Sequence, residues 1–349
     1  MTTRRIILLR IITAAILIIL LRVIIPQKSH SQITSVQPSV SPRMSNEESA
    51  LQARIAANPN DDAAYTDLGS LYFVYGKFNE SQSALEKAIS LNPSNASALL
   101  QLGNLYRYRG RYQESKDAFQ EALRQNPNDE HIYVELGKLY RNMQQYQDAE
   151  RMFQEAIRLN PKDDTIYSYG LGYLYRDMKK LDKAEQMFLK AAELNPQNDF
   201  NYMGLGDIYR DSGKYQESEK MFQKAITMNF KNESYMGLGW LYLSQKRYND
   251  AEKAFREYLE RIKPKGEIYF GLGHIYLARN DNARAEEMFK KALELNQAIG
   301  AQGALGELYI KEKRYQEAKE ILKKEIVVNP NNAAARQHLQ NITRVPGAQ

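Results

Sequence analysis

From about residue 47 onward, apolar residues recur every three or four positions in stretches of about a dozen residues, divided by short polar turns. That is the period of helices with one buried face, and it predicts an all-α chain. A longer period lies above it. Leu-Gly followed three residues on by Tyr occurs eight times, from Leu68-Gly69/Tyr72 to Leu305-Gly306/Tyr309, with the glycines 33 to 35 residues apart. Twelve residues after each glycine stands Ser or Ala, and four further on Leu or Phe, as at Ala184 and Phe188. Asn-Pro closes five of the units, at Pro93, Pro127, Pro161, Pro196 and Pro330. The glycine lets two helices of a unit approach closely, and proline, which cannot continue a helix, ends the second. One such pair cannot bury its own apolar face, so neighbouring pairs must stack.

This unit resembles the tetratricopeptide repeat, a pair of antiparallel helices about 34 residues long. The resemblance spans about residues 47–344 and implies a right-handed superhelical solenoid of about eight helix-pair repeats. Their bounds fall at about 62–95, 96–129, 130–164, 165–198, 199–231, 232–265, 266–298 and 299–332, followed by a cap helix at 333–344. Residues 46–57 look like a lone second helix ending at Asn58-Pro59. The interval from Gly137 to Gly172 is 35, and the extra residue is expected in the Pro161–Asp164 turn. Tyr258 and Glu325 stand where the other second helices carry a small Ala.

Charge alters the picture only at the N-terminus. Of the 48 basic residues six precede Glu47 with no acid among them, which leaves 42 basic against 42 acidic residues in the rest. A neutral body lacks the cationic surplus that phosphate backbones require, so no nucleic-acid partner is expected. The basic excess flanks and punctuates Ile6–Ile25, a hydrophobic run interrupted by Arg10, Thr13 and Arg22. As one N-terminal hydrophobic helix it would measure about 30 Å, enough to span a bilayer, with both arginines near its ends. Residues 1–26 thus read as a signal-anchor or transmembrane segment and 27–46, rich in Ser, Gln and Pro, as a flexible linker. Arg4 and Arg5 ahead of the run predict a single-pass protein with a cytoplasmic N-terminus and the repeats on the far side. The alternative is a cleaved signal peptide and export.

In the family resembled, first helices line a concave groove, and the resemblance implies that groove as the place of binding. Arg107, Arg141, Arg176 and Arg210 each stand four residues after the Leu-Gly glycine and would form a row along its middle. Such a row suits an acidic partner segment, or else pairs locally with acids such as Asp177 and Asp211. Further on the same surface turns apolar, through Tyr169, Tyr173, Met203, Met236, Trp240, Leu243, Phe270, Leu277 and Ile310. An apolar groove suits a partner peptide or helix. Gly170, Gly204, Gly237 and Gly271, two residues ahead of the Leu-Gly glycines, allow either close approach of a ligand backbone or tighter packing of adjacent helices. The family's clamp for chaperone C-termini does not carry over, because Thr66, Leu100 and Glu135 occupy its positions.

Catalysis finds little support. There is no cysteine, His30, His131, His274 and His338 have no metal-ligand spacing, and no phosphate loop or nucleophile elbow occurs. No metal and no cofactor are expected. The residues point to a protein-binding adaptor or scaffold tethered to a membrane. The alternatives are a self-associating spacer of the cell envelope and a non-catalytic subunit that binds glycan or lipid.

Overall fold

The computed structural model describes residues 42–230, 233–295 and 300–343. The chain divides into a leading unit, Met1–Ala50, and a main unit, Leu51–Gln349. What is described of the leading unit is the beginning of helix Pro42–Ala57. The expected membrane segment, and all of the linker before Pro42, lie outside the described residues. Among the described residues no helix is long and apolar enough to cross a membrane.

The main unit is an all-helical solenoid. From Asp62 to Val328 a first helix (A) and a second helix (B) alternate through eight antiparallel pairs, and helix Ala333–Thr343 packs against the last of them. Local chemistry sets the ends. Asp61 and Asn95 cap helices A by accepting from the N–H groups of Ala64 and Ala98 at 2.9 Å. Between A and B one residue adopts a left-handed conformation. It is glycine at Gly76, Gly110 and Gly213, but Gln144, Lys179, Lys246, Asn280 and Lys313 elsewhere.

Each helix B supplies the large side chain that fills its repeat, and Phe119, Phe153, Phe188, Phe222, Phe255 and Phe289 are wholly buried. The second glycines explain themselves here. Phe188 lies between Gly172 of its own repeat and Gly204 of the next, and Phe222 between Gly206 and Gly237. Phe153 and Phe255 are held in the same way, by Gly137 with Gly170 and by Gly239 with Gly271. The added glycines therefore tighten packing between repeats, and the close-approach reading loses its motive.

A polar lock joins successive repeats. The tyrosine three residues after the glycine donates its hydroxyl to a glutamate on the preceding helix B. The pairs are Tyr175 to Glu150 (2.6 Å), Tyr242 to Glu219 (2.8 Å), Tyr276 to Glu252 (2.8 Å) and Tyr309 to Glu286 (2.9 Å). Arginines of the A–B turns join them, Arg247 on Glu219 at 3.0 Å and Arg314 on Glu286 at 2.6 Å. Burial, and then the glutamate it bonds, push the Tyr175 phenol up to about 12.

The extra residue of repeat four is not in the turn. Asp129, Asp163 and Asn198 occupy equivalent turn positions and each accepts from the N–H two residues on, at 2.9, 2.8 and 3.1 Å. The turns of repeats three, four and five are thus alike. Helix A of repeat four takes up the insertion instead, as a π-helical stretch Ile166–Gly172 continued by α-helix Tyr173–Asp177. A π turn accommodates one more residue without breaking the element, and the capped turn is kept.

Candidate binding groove

Four first helices form the site: Glu130–Asn142, the segment Ile166–Asp177, Asp199–Asp211 and Ser234–Ser244. Side chains three or four residues apart share a helix face, so positions three before, one after and four after the glycine make one stripe per repeat. The stripes enclose a cavity of about 500 Å³. Eight of the expected groove residues meet there: Arg141, Arg176, Arg210, Tyr169, Tyr173, Met203, Met236 and Trp240.

Its apolar side is aromatic. Tyr169, on the π stretch, stacks on Phe200 with ring centroids 3.8 Å apart and planes 11° from parallel. It remains 39% exposed, so one edge of the stack is open to a ligand. Tyr173 meets Phe200 edge-on at 6.1 Å, and Trp240 stands edge-on to the buried Phe255 at 5.5 Å. Burial, assisted by the charges of Asp199 and Glu233, pushes the Tyr169 phenol up to about 12. Burial raises that of Tyr173 further, with Asp207 adding to it. Both are neutral hydroxyls at any physiological pH.

On the polar side Arg141 and Arg176 are tied to the following repeat, and Arg210 to acids of its own helix. Arg141 donates NH1 to the Tyr169 carbonyl at 3.2 Å and lies 3.4 Å from Asp177. Arg176 donates Nε to Asp211 at 2.7 Å, with Asp207 3.8 Å from its NH1. Arg210 forms an ion pair with Asp207 at 2.9 Å and donates to Asp211 at 3.4 Å. Burial raises the Asp207 carboxyl above the ordinary range, only partly offset by Arg210 and Arg176.

Five expected residues lie outside the cavity. Arg107 is one repeat before the cavity, bonded to Glu135 at 2.9 Å and Asn104 at 3.1 Å. Phe270, in repeat seven, extends the aromatic surface, tilted to Trp240 at 6.4 Å and edge-on to His274 at 4.5 Å. Leu243, Leu277 and Ile310 pack partly buried against the C-terminal core. Phe200, Asp207 and Glu233 also line the cavity and were not anticipated. Phe200 sits six residues before its glycine, and the signal for it was an aromatic where the other repeats place no large apolar side chain except Ile166.

Comparison with known proteins decides the family. Residues 35–167 match the tetratricopeptide domain of cytochrome c-type biogenesis protein H, and tetratricopeptide-repeat families match residues 162–229, 203–267, 242–299 and 299–332. The chain belongs to the tetratricopeptide-repeat family. No curated protein matches the sequence of this repeat protein. Among solved structures, a tetratricopeptide repeat protein from Parabacteroides merdae is similar with a TM-score of 0.58 at 21% identity, over 76% of this chain and 99% of the other. The human IFIT1 dimer gives 0.61 at 17% identity, over 85% and 76%. The Cut9-Hcn1 hetero-tetramer of the APC/C gives 0.56 at 16%, over 87% and 60%. At such identities the likeness concerns the fold alone.

Proposed function

We propose that this repeat protein is a membrane-tethered adaptor whose groove over repeats three to six recruits a segment of another protein. The observation that carries the reading is the cavity between four first helices, where Tyr169, Phe200 and Trp240 stand beside arginine and aspartate side chains. Aromatic anchors beside arginine are the composition of binding hot spots. The arrangement offers recognition groups and no nucleophile with an oriented base. The match of residues 35–167 to the repeat domain of a biogenesis protein is in keeping with a part in assembling other proteins. The tether is the hydrophobic run Ile6–Ile25, with the N-terminus cytoplasmic and the repeats on the far side.

A photo-cross-linker placed at Met203 in the groove of the full chain, in its native membrane, should trap a discrete partner that the same group at Lys220, exposed on a helix B, does not. Equal trapping at both positions, or products consisting only of this chain, would refute the adaptor reading. For the tether, the full chain should stay with membranes after an alkaline wash, and a chain starting at residue 27 should not.

A further inference from the structure

This inference rests on the groove reading and concerns what the groove selects. A row of arginines suggests an acidic partner, but the charges are already matched. Arg141, Arg176 and Arg210 face Asp177, Asp207 and Asp211, and Glu233 is taken by Lys265 at 2.5 Å. A partner carboxylate would have to displace one of these acids, and the exchange adds no net attraction. The lattice instead alternates donors and acceptors. Arg176 spends Nε on Asp211, and Arg210 donates one N–H to Asp211 while pairing ionically with Asp207, which leaves other N–H groups of both unbonded among the described residues. Asp207 Oδ2, 3.8 Å from Arg176, accepts no hydrogen bond among the described residues. An extended chain brings free N–H and C=O groups to such a lattice, whereas a helix has already spent them on itself. Beside the lattice, the stacked pair Tyr169–Phe200 and Trp240 form an apolar wall.

We propose that the cavity takes an extended, uncharged segment of a partner protein, anchored by one aromatic or large aliphatic side chain against Tyr169, Phe200 and Trp240. The guanidinium N–H groups and Asp207 hold its main chain. Specificity then lies in the anchor and not in acidic residues.

The test is selection of random peptides displayed on phage against the full chain kept in mild detergent. One position should be enriched in aromatic or large aliphatic residues, with no enrichment of Asp or Glu. Binding of a selected peptide should change by less than about threefold between about 50 and about 500 mM salt, because exposed charge pairs are screened over that range and apolar contacts are not. Tyr169→Ala and Trp240→Ala, each checked for unchanged thermal unfolding, should each weaken it by about tenfold or more. Acid-enriched peptides that lose about tenfold or more in salt and depend on Arg176 would overturn the inference and leave the groove reading standing. No selected peptide, or peptides indifferent to every one of these substitutions, would bring down the groove reading as well.

Discussion

Gly271 lies against the ring of Phe255, so near that a Cβ there would meet Cε2 at 2.6 Å. Phe255 belongs to the preceding repeat and has Gly239 on its other side, so its ring has no room to retreat. Gly271→Ala is therefore expected to destabilise the solenoid by about 1–3 kcal/mol through overpacking, read as a lowered urea midpoint. Gly303, near the start of helix Ala301–Lys311, has nothing within 4 Å of an added Cβ. There the same change should stabilise by about 0.5–1 kcal/mol, since alanine loses less backbone freedom than glycine in a helix. Equal effects at the two sites would contradict the packing account.

The turns between A and B invite the opposite substitution. Lys179, Lys246 and Lys313 sit at φ of 59°, 60° and 61°, where a Cβ crowds the following carbonyl. Repeats one, two and five place glycine at this point. Lys246→Gly should gain up to about 1 kcal/mol, partly offset by the greater freedom of glycine in the unfolded chain. Thermal unfolding of the single and triple glycine variants measures it. A fall in midpoint would mean that the lysine side chains contribute contacts worth more than the strain.

The fold was legible because its determinants repeat: eight glycines, their large partners on helix B and the Asn-Pro stops fall at one period. The groove was legible for the same reason, since residues at fixed offsets from the glycine share a face. What escaped was whatever links one repeat to the next. Asp211 follows Arg210 directly in the sequence, yet its shorter bond, 2.7 Å, is to Arg176 of the repeat before. The tyrosine–glutamate pairs join residues 23 to 25 apart, a distance that matches no helical or repeat period. The insertion in repeat four could be bracketed between Pro161 and Gly172, but its location depends on the relative cost of distorting a capped turn or a helix. Sequence spacing does not rank those costs.

The inter-repeat locks give the solenoid an acid sensitivity. Arg314, helped by Lys290 and Tyr309, holds the Glu286 carboxyl down to about 2. Burial works against the Glu252 carboxyl, but hydrogen bonds from Arg279, Arg256 and Tyr276 outweigh it and hold that group also at about 2. In the unfolded chain both titrate near the ordinary glutamate value of about 4.3. Because the folded values are the lower ones, their stabilisation is complete above that pH and is lost as pH falls towards about 2. The urea midpoint should therefore drop across this window. Glu286→Gln should lower the midpoint at neutral pH and make its fall in acid shallower; an unchanged slope would assign the acid sensitivity to other carboxylates.

The π stretch offers the sharpest link between the fold and the groove. The turn of repeat four superposes in its hydrogen bonding on those of repeats three and five as far as Tyr167, whose hydroxyl reaches the Pro161 carbonyl at 3.3 Å just as Tyr202 reaches Pro196 at 3.2 Å. From Gly170 onward the repeat is again in register, because Gly170 meets Phe153 as Gly204 meets Phe188. The additional residue thus lies at Ser168 or Tyr169. Ser168 is wholly buried and bonds back to the Asp164 carbonyl at 3.0 Å, whereas Tyr169 reaches the cavity. Deleting Ser168 should restore a plain α-helix of ordinary repeat length, with helical content retained and stability equal or higher, since regular i to i+4 bonding replaces the π turn. The deletion should also remove the geometry in which the Tyr169 carbonyl meets Arg141 and its ring meets Phe200, and with it any binding that depends on Tyr169. Circular dichroism and peptide binding on the same variant separate the outcomes. A stable deletion variant with full, Tyr169-dependent binding would show the insertion to be a neutral accident of the array, whereas a stable variant that binds nothing would tie the groove to this one residue.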